Sequence, residues 1–476
     1  MLKKTDPALI QGFLEDSSGL LGGFAEAVVF PETEAEISEF LKDVSQKRIP
    51  VTISGGGTGV TGGRIPFGGV VLATDRLNKI LKITSEYAIV QPAVRLDELQ
   101  NEVGKINRIY LPEPTEPNAY LGGTVATNAS GARGFKYGPT RKYVRRLKVV
   151  LSSGKVIEIK RGEIFADKEG NLKLEDLKFK IPGYQMPKIK NAAGYYSKEG
   201  MDLIDLFIGQ EGTLGVVTEI ELALGPKKET FDCIAFFPAE EDTLKFISEA
   251  KKQDALSLEY FDFNSLELLR QKYPNIPDNA KGAILFEQET TPETEGQLIE
   301  NWSNLLEKFG VSLDKVWFAE DEKKKQYFKE FRHALPEMVN EIVKRNKMPK
   351  VGTDMAVPQD KFREMYNFYK EKLSESQIRY VIFGHIGENH LHANLLPESS
   401  VEFDRAKNIY LELVKKAISL GGTASAEHGI GKLKHAYLEV MYGRHGLEEM
   451  ARVKKLLDPA CILGLGNIFP MELLHL

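Results

Sequence analysis

The stretch Gly55-Gly56-Gly57-Thr58-Gly59-Val60-Thr61-Gly62-Gly63 lies between two apolar runs, at 50–53 and 70–73, that read as β-strands. It contains the spacing of a dinucleotide-binding turn, with Gly57, Gly59 and Gly62 in register. That turn needs a helix directly after it, so that a pyrophosphate meets a helix N-terminus. Here Gly63, Pro66, Gly68 and Gly69 follow and the chain becomes a strand again, so the Rossmann context fails. What remains is a run without Cβ atoms, able to take positive φ and to aim successive N–H groups at an anion. It reads as a phosphate nest between two strands; a purely structural turn is the plainer alternative, but a hairpin needs far less glycine.

Two further small-residue loops occur before residue 226. The first, Gly122-Gly123-Thr124-Val125-Ala126-Thr127-Asn128-Ala129-Ser130-Gly131, follows Pro112-Glu113-Pro114 and suits close approach to a flat, polar-edged ring. The other, Gly209-Gln210-Glu211-Gly212-Thr213-Leu214-Gly215, leads into a strand. Three such loops suggest one large, extended ligand.

A chain of 476 residues is too long for one ordinary core, so two or three packed units are expected. The pattern predicts a helix over 32–45 and strands over 87–91, 147–151 and 215–224. Gly225-Pro226-Lys227-Lys228 then marks a change of texture and a domain boundary. Beyond it, strands over 232–237, 256–263, 283–287 and 315–318 alternate with helices over 240–252 and 294–308, suggesting a sheet covered by helices on one face. A helix over 405–420, ended by Gly421-Gly422, is expected to fix the turn that carries Glu427 and His428.

A net charge of -5 gives no extended positive field for nucleic acid. The densest basic run, Arg141, Lys142, Arg145, Arg146 and Lys148, reads as a solvated face. Cys233 and Cys461 are too few for a disulfide framework, which points to a reducing compartment. Acidic residues Asp6, Glu15 and Asp16 argue against a secretory signal, and no apolar run approaches the roughly 18 residues of a membrane span. A cytoplasmic protein, with peripheral membrane docking left open, is the expectation.

Of the eight histidines, five lie between His385 and His435. Two apolar strands flank the turn Gly384-His385-Ile386-Gly387-Glu388-Asn389, and on the second strand His390, His392 and Asn394 share one face. With His385 across the turn, these imidazoles can converge on one divalent ion.

The loops GGGTGVTGG, YLGGTVATNASGARGFKYG and IGQEGTLGVVTE resemble those of the FAD-binding oxidoreductases related to vanillyl-alcohol oxidase, in the D-lactate, glycolate and D-2-hydroxyglutarate dehydrogenase branch. The resemblance implies an α+β fold: a two-lobed FAD-binding domain over 1–226, a substrate- and metal-binding α/β cap with a helix-covered antiparallel sheet over 227–430, and a C-terminal segment, 431–476, returning to the first domain. It implies FAD contacts from Gly55, Gly56, Gly57, Thr58, Gly59 and Gly62 on the pyrophosphate. Contacts along the ribityl and ring fall to Pro112, Gly122, Gly123, Thr124, Ala126, Asn128, Gly131, Glu211, Gly212 and Gly215. It further implies His385, His392 and Glu427 as ligands of one divalent ion, Zn or Mn, with Asn394 touching substrate and His428 accepting a proton. Arg332 stands where the branch places a substrate-carboxylate arginine, whose planar fork suits bidentate pairing.

Several positions depart from the branch. Ala93 replaces a glycine, and Leu463-Gly464-Leu465-Gly466 replaces an Asn-Pro-Gly ending. Glu388, Asn389 and His390 stand where the motif has Asp, Gly and Asn, leaving room for His390 as a further ligand. Pro336 replaces the threonine of the D-2-hydroxyglutarate enzymes and favours a monocarboxylate such as D-lactate or glycolate. The implied reaction passes hydride from a 2-hydroxy acid to flavin N5 while His428 takes the hydroxyl proton. The electron acceptor, whether electron-transfer flavoprotein, quinone or cytochrome, stays open, as does a homodimer. Three rivals remain: a metallohydrolase, which leaves the glycine loops unexplained; a non-catalytic FAD-binding electron-transfer subunit; and an oxidase using O2.

Overall fold

The structure, a computed structural model, describes residues 1–474 and divides into two compact units. The first comprises Met1–Gly131, Pro139–Lys227 and Ala424–Leu476, and the second Ala132–Gly138 and Lys228–Thr423. The sequence reading placed the crossings at 226/227 and 430/431 and kept 132–138 in the first domain.

The first unit is built on two sheets. In a four-stranded one, Leu2–Lys4, Ala27–Phe30, Val70–Ala73 and Val51–Ser54 lie in that order, and the last three are parallel. Ala27–Phe30 and Val70–Ala73 are apolar throughout because both faces are covered. Val29 and Leu72 pack on Ile37, Leu41 and Val44 of helix Glu34–Lys47, while Val28 and Val71 pack on Ile10. That helix is capped by the Thr33 hydroxyl, which accepts from Glu36 N–H, and ends at left-handed Arg48. The second sheet orders Ile80–Ile83, Tyr87–Val90, Val216–Ala223, Val144–Val150 and Val156–Lys160, all antiparallel. Between Ser54 and Val70 the chain forms no helix; it loops and returns as the parallel neighbour of its own starting strand.

The basic run is a solvated face only in part: Lys142 and Arg145 are exposed. Arg141 is half-buried, held by the Asp205 carboxylate and the Ile208 carbonyl, and stacks 4.2 Å from the Tyr196 ring centroid. Arg146 spans Glu219, Glu221 and Glu158 on neighbouring strands. A strand sends alternate residues to opposite faces, so a charge-dense strand in a sheet interior is answered by acids across the ladder.

In the second unit eight strands form one sheet, in which Trp317–Ala319, Glu229–Phe237, Gly282–Thr290, Ser257–Asp262, Tyr380–Gly384, His390–Leu395 and Val351–Gly352 are successive neighbours and Met355–Ala356 also pairs with His390–Leu395. Every pairing is antiparallel. Helices cover both faces rather than one. Phe246 of helix Glu240–Ala250 and Trp302 of helix Glu295–Lys308 pack against Phe237 and Phe286. On the opposite face Phe331 of helix Glu322–Asn346 packs against Phe261, with Ile234, Phe236, Ala283 and Leu285. That apolar packing covers only part of its face; the rest carries Ser257, Glu259 and Glu287 on the same strands.

No helix among the described residues is long and apolar enough to cross a membrane.

The C-terminal segment is stitched into the first unit by a buried ion pair. Lys454, 1% exposed, donates to Asp458 Oδ2 at 2.7 Å, to Thr213 O at 2.8 Å and to Leu463 O at 2.7 Å. Asp458 Oδ2 also accepts from the Ile462 and Leu463 amides, each at 2.9 Å, and Ile462 O accepts from Val51 N–H at 2.7 Å. Replacing one partner leaves the other charge buried without its counterion, which costs about 3–5 kcal/mol. Lys454→Met is therefore expected to lower stability by that amount in denaturant unfolding, whereas an exposed pair such as Lys47–Asp43 changes it by about 1 kcal/mol or less.

Candidate active site

The three glycine-rich segments of the first unit meet around one cavity of about 360 Å³, within the size range of cofactor sites. Gly55, Gly56, Gly57, Thr58 and Gly59 form one wall, with Gly57 at φ 76° where a side chain is disfavoured. Arg64 donates from Nη1 to Gly55 O at 2.8 Å and closes this loop on itself, a role the glycine pattern did not disclose.

The second segment is not a loop. Leu121–Thr127 is a helix ending at left-handed Asn128, and its small residues Gly122, Gly123, Thr124, Ala126 and Thr127 line the cavity. A Cβ on Gly122 would stand 2.5 Å from Pro92 Cβ, so glycine lets the helix sit against that proline. Glu211, Gly212 and Gly215 supply the third wall.

Gly62, Pro112, Asn128 and Gly131 are not part of the cavity lining. Gly62 packs on Leu20, and Gly131 is pressed against the Glu113 carbonyl. The Asn128 side-chain oxygen accepts from Arg141 N–H at 2.9 Å.

The same cavity is lined by Glu427 and His428. Helix Ser400–Ser419 belongs to the second unit; what fixes this turn within the first is a set of polar contacts. Buried Glu427 accepts from Ser130 Oγ at 2.9 Å and from Lys190 Nζ, itself almost fully buried. Glu211 accepts from the Ile430 and Gly431 amides at 2.8 and 2.6 Å. Thr61 Oγ1 donates to His428 O at 3.4 Å. Glu211, placed by the sequence only at the cofactor, is thus also the strut of the Glu427–His428 turn.

In the second unit, turn 385–389 brings His385 beside the strand His390–Leu395. Ring centroids lie 5.5 Å apart for His385 and His390, 5.7 Å for His385 and His392, and 4.4 Å for His390 and His392. His385 Nδ1 hydrogen-bonds Glu259 Oε1 at 2.6 Å. His392 Nδ1 donates to the Thr353 carbonyl at 2.9 Å. An imidazole held through Nδ1 presents Nε2 as its donor atom, the usual support of a metal-binding histidine. Asn394 is buried, two residues along from His392 and on the same face.

Arg332 lies on helix Glu322–Asn346, four residues before Pro336, which lacks the N–H that would otherwise bond the Arg332 carbonyl within the helix. Its Nε donates to Glu259 Oε2 at 2.9 Å, so one buried carboxylate joins Arg332 to His385. Burial alone would raise the Glu259 carboxyl, but the His385 imidazole and the Arg332 guanidinium hold it down to about 2. Glu259 escaped the sequence reading because a single acid in an apolar strand carries no spacing signal.

The three departures from the histidine motif are each accommodated locally. Asn389, at φ 56°, takes the left-handed conformation that asparagine tolerates best after glycine. Its Oδ1 accepts from Lys251 Nζ at 2.5 Å. Burial pushes Lys251 down to about 7, with the Glu388 charge opposing that fall. His390 Nε2 lies 3.1 Å from Asp354 Oδ1, both wholly buried.

Comparison with known proteins places the chain in a family. Residues 25–160 match the family model described as FAD binding domain, and residues 229–468 match that described as FAD linked oxidases, C-terminal domain. The chain is 31% identical to glycolate oxidase subunit GlcD of Bacillus subtilis, covering 94% of this chain and 89% of that one. It is 28% identical to a D-lactate dehydrogenase of Archaeoglobus fulgidus, covering 93% and 90%. Among solved structures it resembles 4-ethylphenol oxidase from Gulosibacter chungangensis at TM-score 0.69 and 17% identity, covering 99% and 95%.

The Glu211 strut gives a pH dependence. Burial raises its carboxyl to about 7, against two backbone amides that pull it down. A folded-state value above the unfolded one means that ionisation opposes folding, a penalty absent below about 4.5, growing up to about 7 and complete above. The apoprotein melting temperature is therefore expected to fall between pH 5 and pH 7.5, and Glu211→Gln to flatten that fall even if it lowers the curve as a whole. An unchanged slope in the variant would contradict the assignment.

Proposed function

The chain belongs to the FAD-linked oxidases, as an FAD-dependent 2-hydroxyacid dehydrogenase, and from that premise we propose that it oxidises glycolate or a small D-2-hydroxy acid such as D-lactate to the 2-oxo acid with the aid of one divalent ion. The observation that carries this reading is that Glu427 and His428 line the same cavity as the three glycine-rich segments. A candidate base thereby stands at the cofactor cavity rather than at a distance from it.

Bound FAD supplies a hydride acceptor, and a bound divalent ion supplies Lewis-acid polarisation of the substrate oxygens. By resemblance, His385, His392 and Glu427 hold that ion. The donor types fit it: two imidazoles anchored through Nδ1, and the carboxylate of buried Glu427. Arg332 pairs with the substrate carboxylate while Glu259 fixes its guanidinium plane. Asn394 hydrogen-bonds the substrate. His428 takes the hydroxyl proton, a role suited to a side chain with an unperturbed pKa of about 6.5. Pro336 beside Arg332 favours a monocarboxylate over a dicarboxylate substrate.

Anaerobic mixing with D- and L-2-hydroxy acids tests the reading: D-lactate or glycolate is expected to bleach the bound flavin, and no bleaching by any member would overturn it. Chelation is expected to abolish turnover while leaving the flavin spectrum nearly unchanged. His428→Asn should retain FAD and metal yet slow flavin reduction by roughly 10²- to 10⁴-fold, the worth of a positioned general base. Stopped-flow reduction is the measurement, since product release or the acceptor can limit steady-state turnover. Near-normal reduction in a metal-replete variant removes His428 from the role, and loss of metal with rate makes it a ligand instead.

A further inference from the structure

Position 390 is one of three at which this chain leaves the motif it otherwise resembles, and the structure gives that departure a chemical context. His390 is wholly buried, and its ring forms a triangle with those of the two presumed ligands, 4.4 Å from His392 and 5.5 Å from His385 by centroids. All three histidines offer ring nitrogens within 4.8 Å of one another. Three imidazole nitrogens so close together are near enough to share one divalent ion.

The surroundings of His390 are those of a donor. Asp354, also wholly buried, places Oδ1 3.1 Å from His390 Nε2. The neighbouring residue, Thr353, receives His392 Nδ1 on its carbonyl, so the segment 353–354 serves both histidines at once. An unshielded divalent charge is costly where there is no water, and the Asp354 carboxylate supplies compensation.

We propose that His390 donates a third imidazole nitrogen to the bound ion, with Asp354 as the adjacent carboxylate, making the site richer in nitrogen than the two-histidine set the motif implies. This rests on the reading of His385, His392 and Glu427 as ligands. An added imidazole favours Zn(II) over Mn(II), because Mn(II) prefers oxygen donors.

X-ray absorption of the FAD-loaded protein reconstituted with one equivalent of Zn(II) is expected to report three imidazoles in the wild type and two in His390→Asn. Chelator competition should show Zn(II) affinity falling at least about 100-fold in that variant, beyond the 10- to 100-fold brought by loss of an outer-shell partner. The preference for Zn(II) over Mn(II) should narrow alongside. Two imidazoles in the wild type, or unchanged affinity in the variant, overturn the role of His390 and leave the parent site standing. Failure of the wild type to bind a stoichiometric ion overturns both. Should His390→Asn not fold, as judged by circular dichroism and flavin absorbance, the wild-type imidazole count decides alone.

Discussion

A carboxylate taken out of water must be surrounded by donors or give up its charge by taking a proton. The functional residues hang on three such groups. Glu211 ties a cofactor-cavity wall to the turn bearing Glu427 and His428, through two backbone amides. Glu427 collects Ser130 and Lys190. Glu259 joins Arg332 to His385. Each carboxylate needs at least two donors to be tolerated where it is, and that need obliges parts distant in sequence to come together. Positioning of the site and satisfaction of buried charge are one requirement.

This explains which parts were legible in the sequence. The parallel strand Val70–Ala73 announces itself because a strand covered on both faces is apolar throughout. The glycine loop 55–63 is legible because so many missing side chains have few uses. His390, His392 and Asn394 are legible because a strand repeats every two residues. Glu259, Lys190 and Ser130 are not, because each is a lone polar residue whose partner is set by tertiary contact. The helix Leu121–Thr127 was read as a loop since its two glycines, two threonines and valine are weak helix formers that outweigh its one alanine. Its packing on Pro92 and its left-handed Asn128 terminus supply what propensity lacks.

The cap sheet shows a related limit. Periodicity found its longer strands but missed the two-residue strands Val351–Gly352 and Met355–Ala356, and it did not show that helices cover both faces, because Glu229–Phe237 is buried over most of its length and shows no alternation to read. On one face, Phe261 and Leu285 pack under helix Glu322–Asn346, while Glu259 and Glu287, two residues along the same strands, are charged. A strand that changes from apolar to acidic along one face marks where a core ends and a site begins.

The site also depends on register. Phe383 pairs with His392 and Val381 with Asn394 across the hairpin, so the polar residues of one strand share a face with apolar residues of the other. Slipping this pairing by one residue would turn His390, His392 and Asn394 to the opposite face and replace them with Leu391, Ala393 and Leu395. The turn prevents it. Asn389 in the left-handed conformation, held by Lys251, fixes the loop length, and the His390 amide closes it on the His385 carbonyl at 3.2 Å. The departure at 389 therefore preserves the turn: asparagine takes the left-handed conformation that glycine would take, and its side chain adds the Lys251 contact.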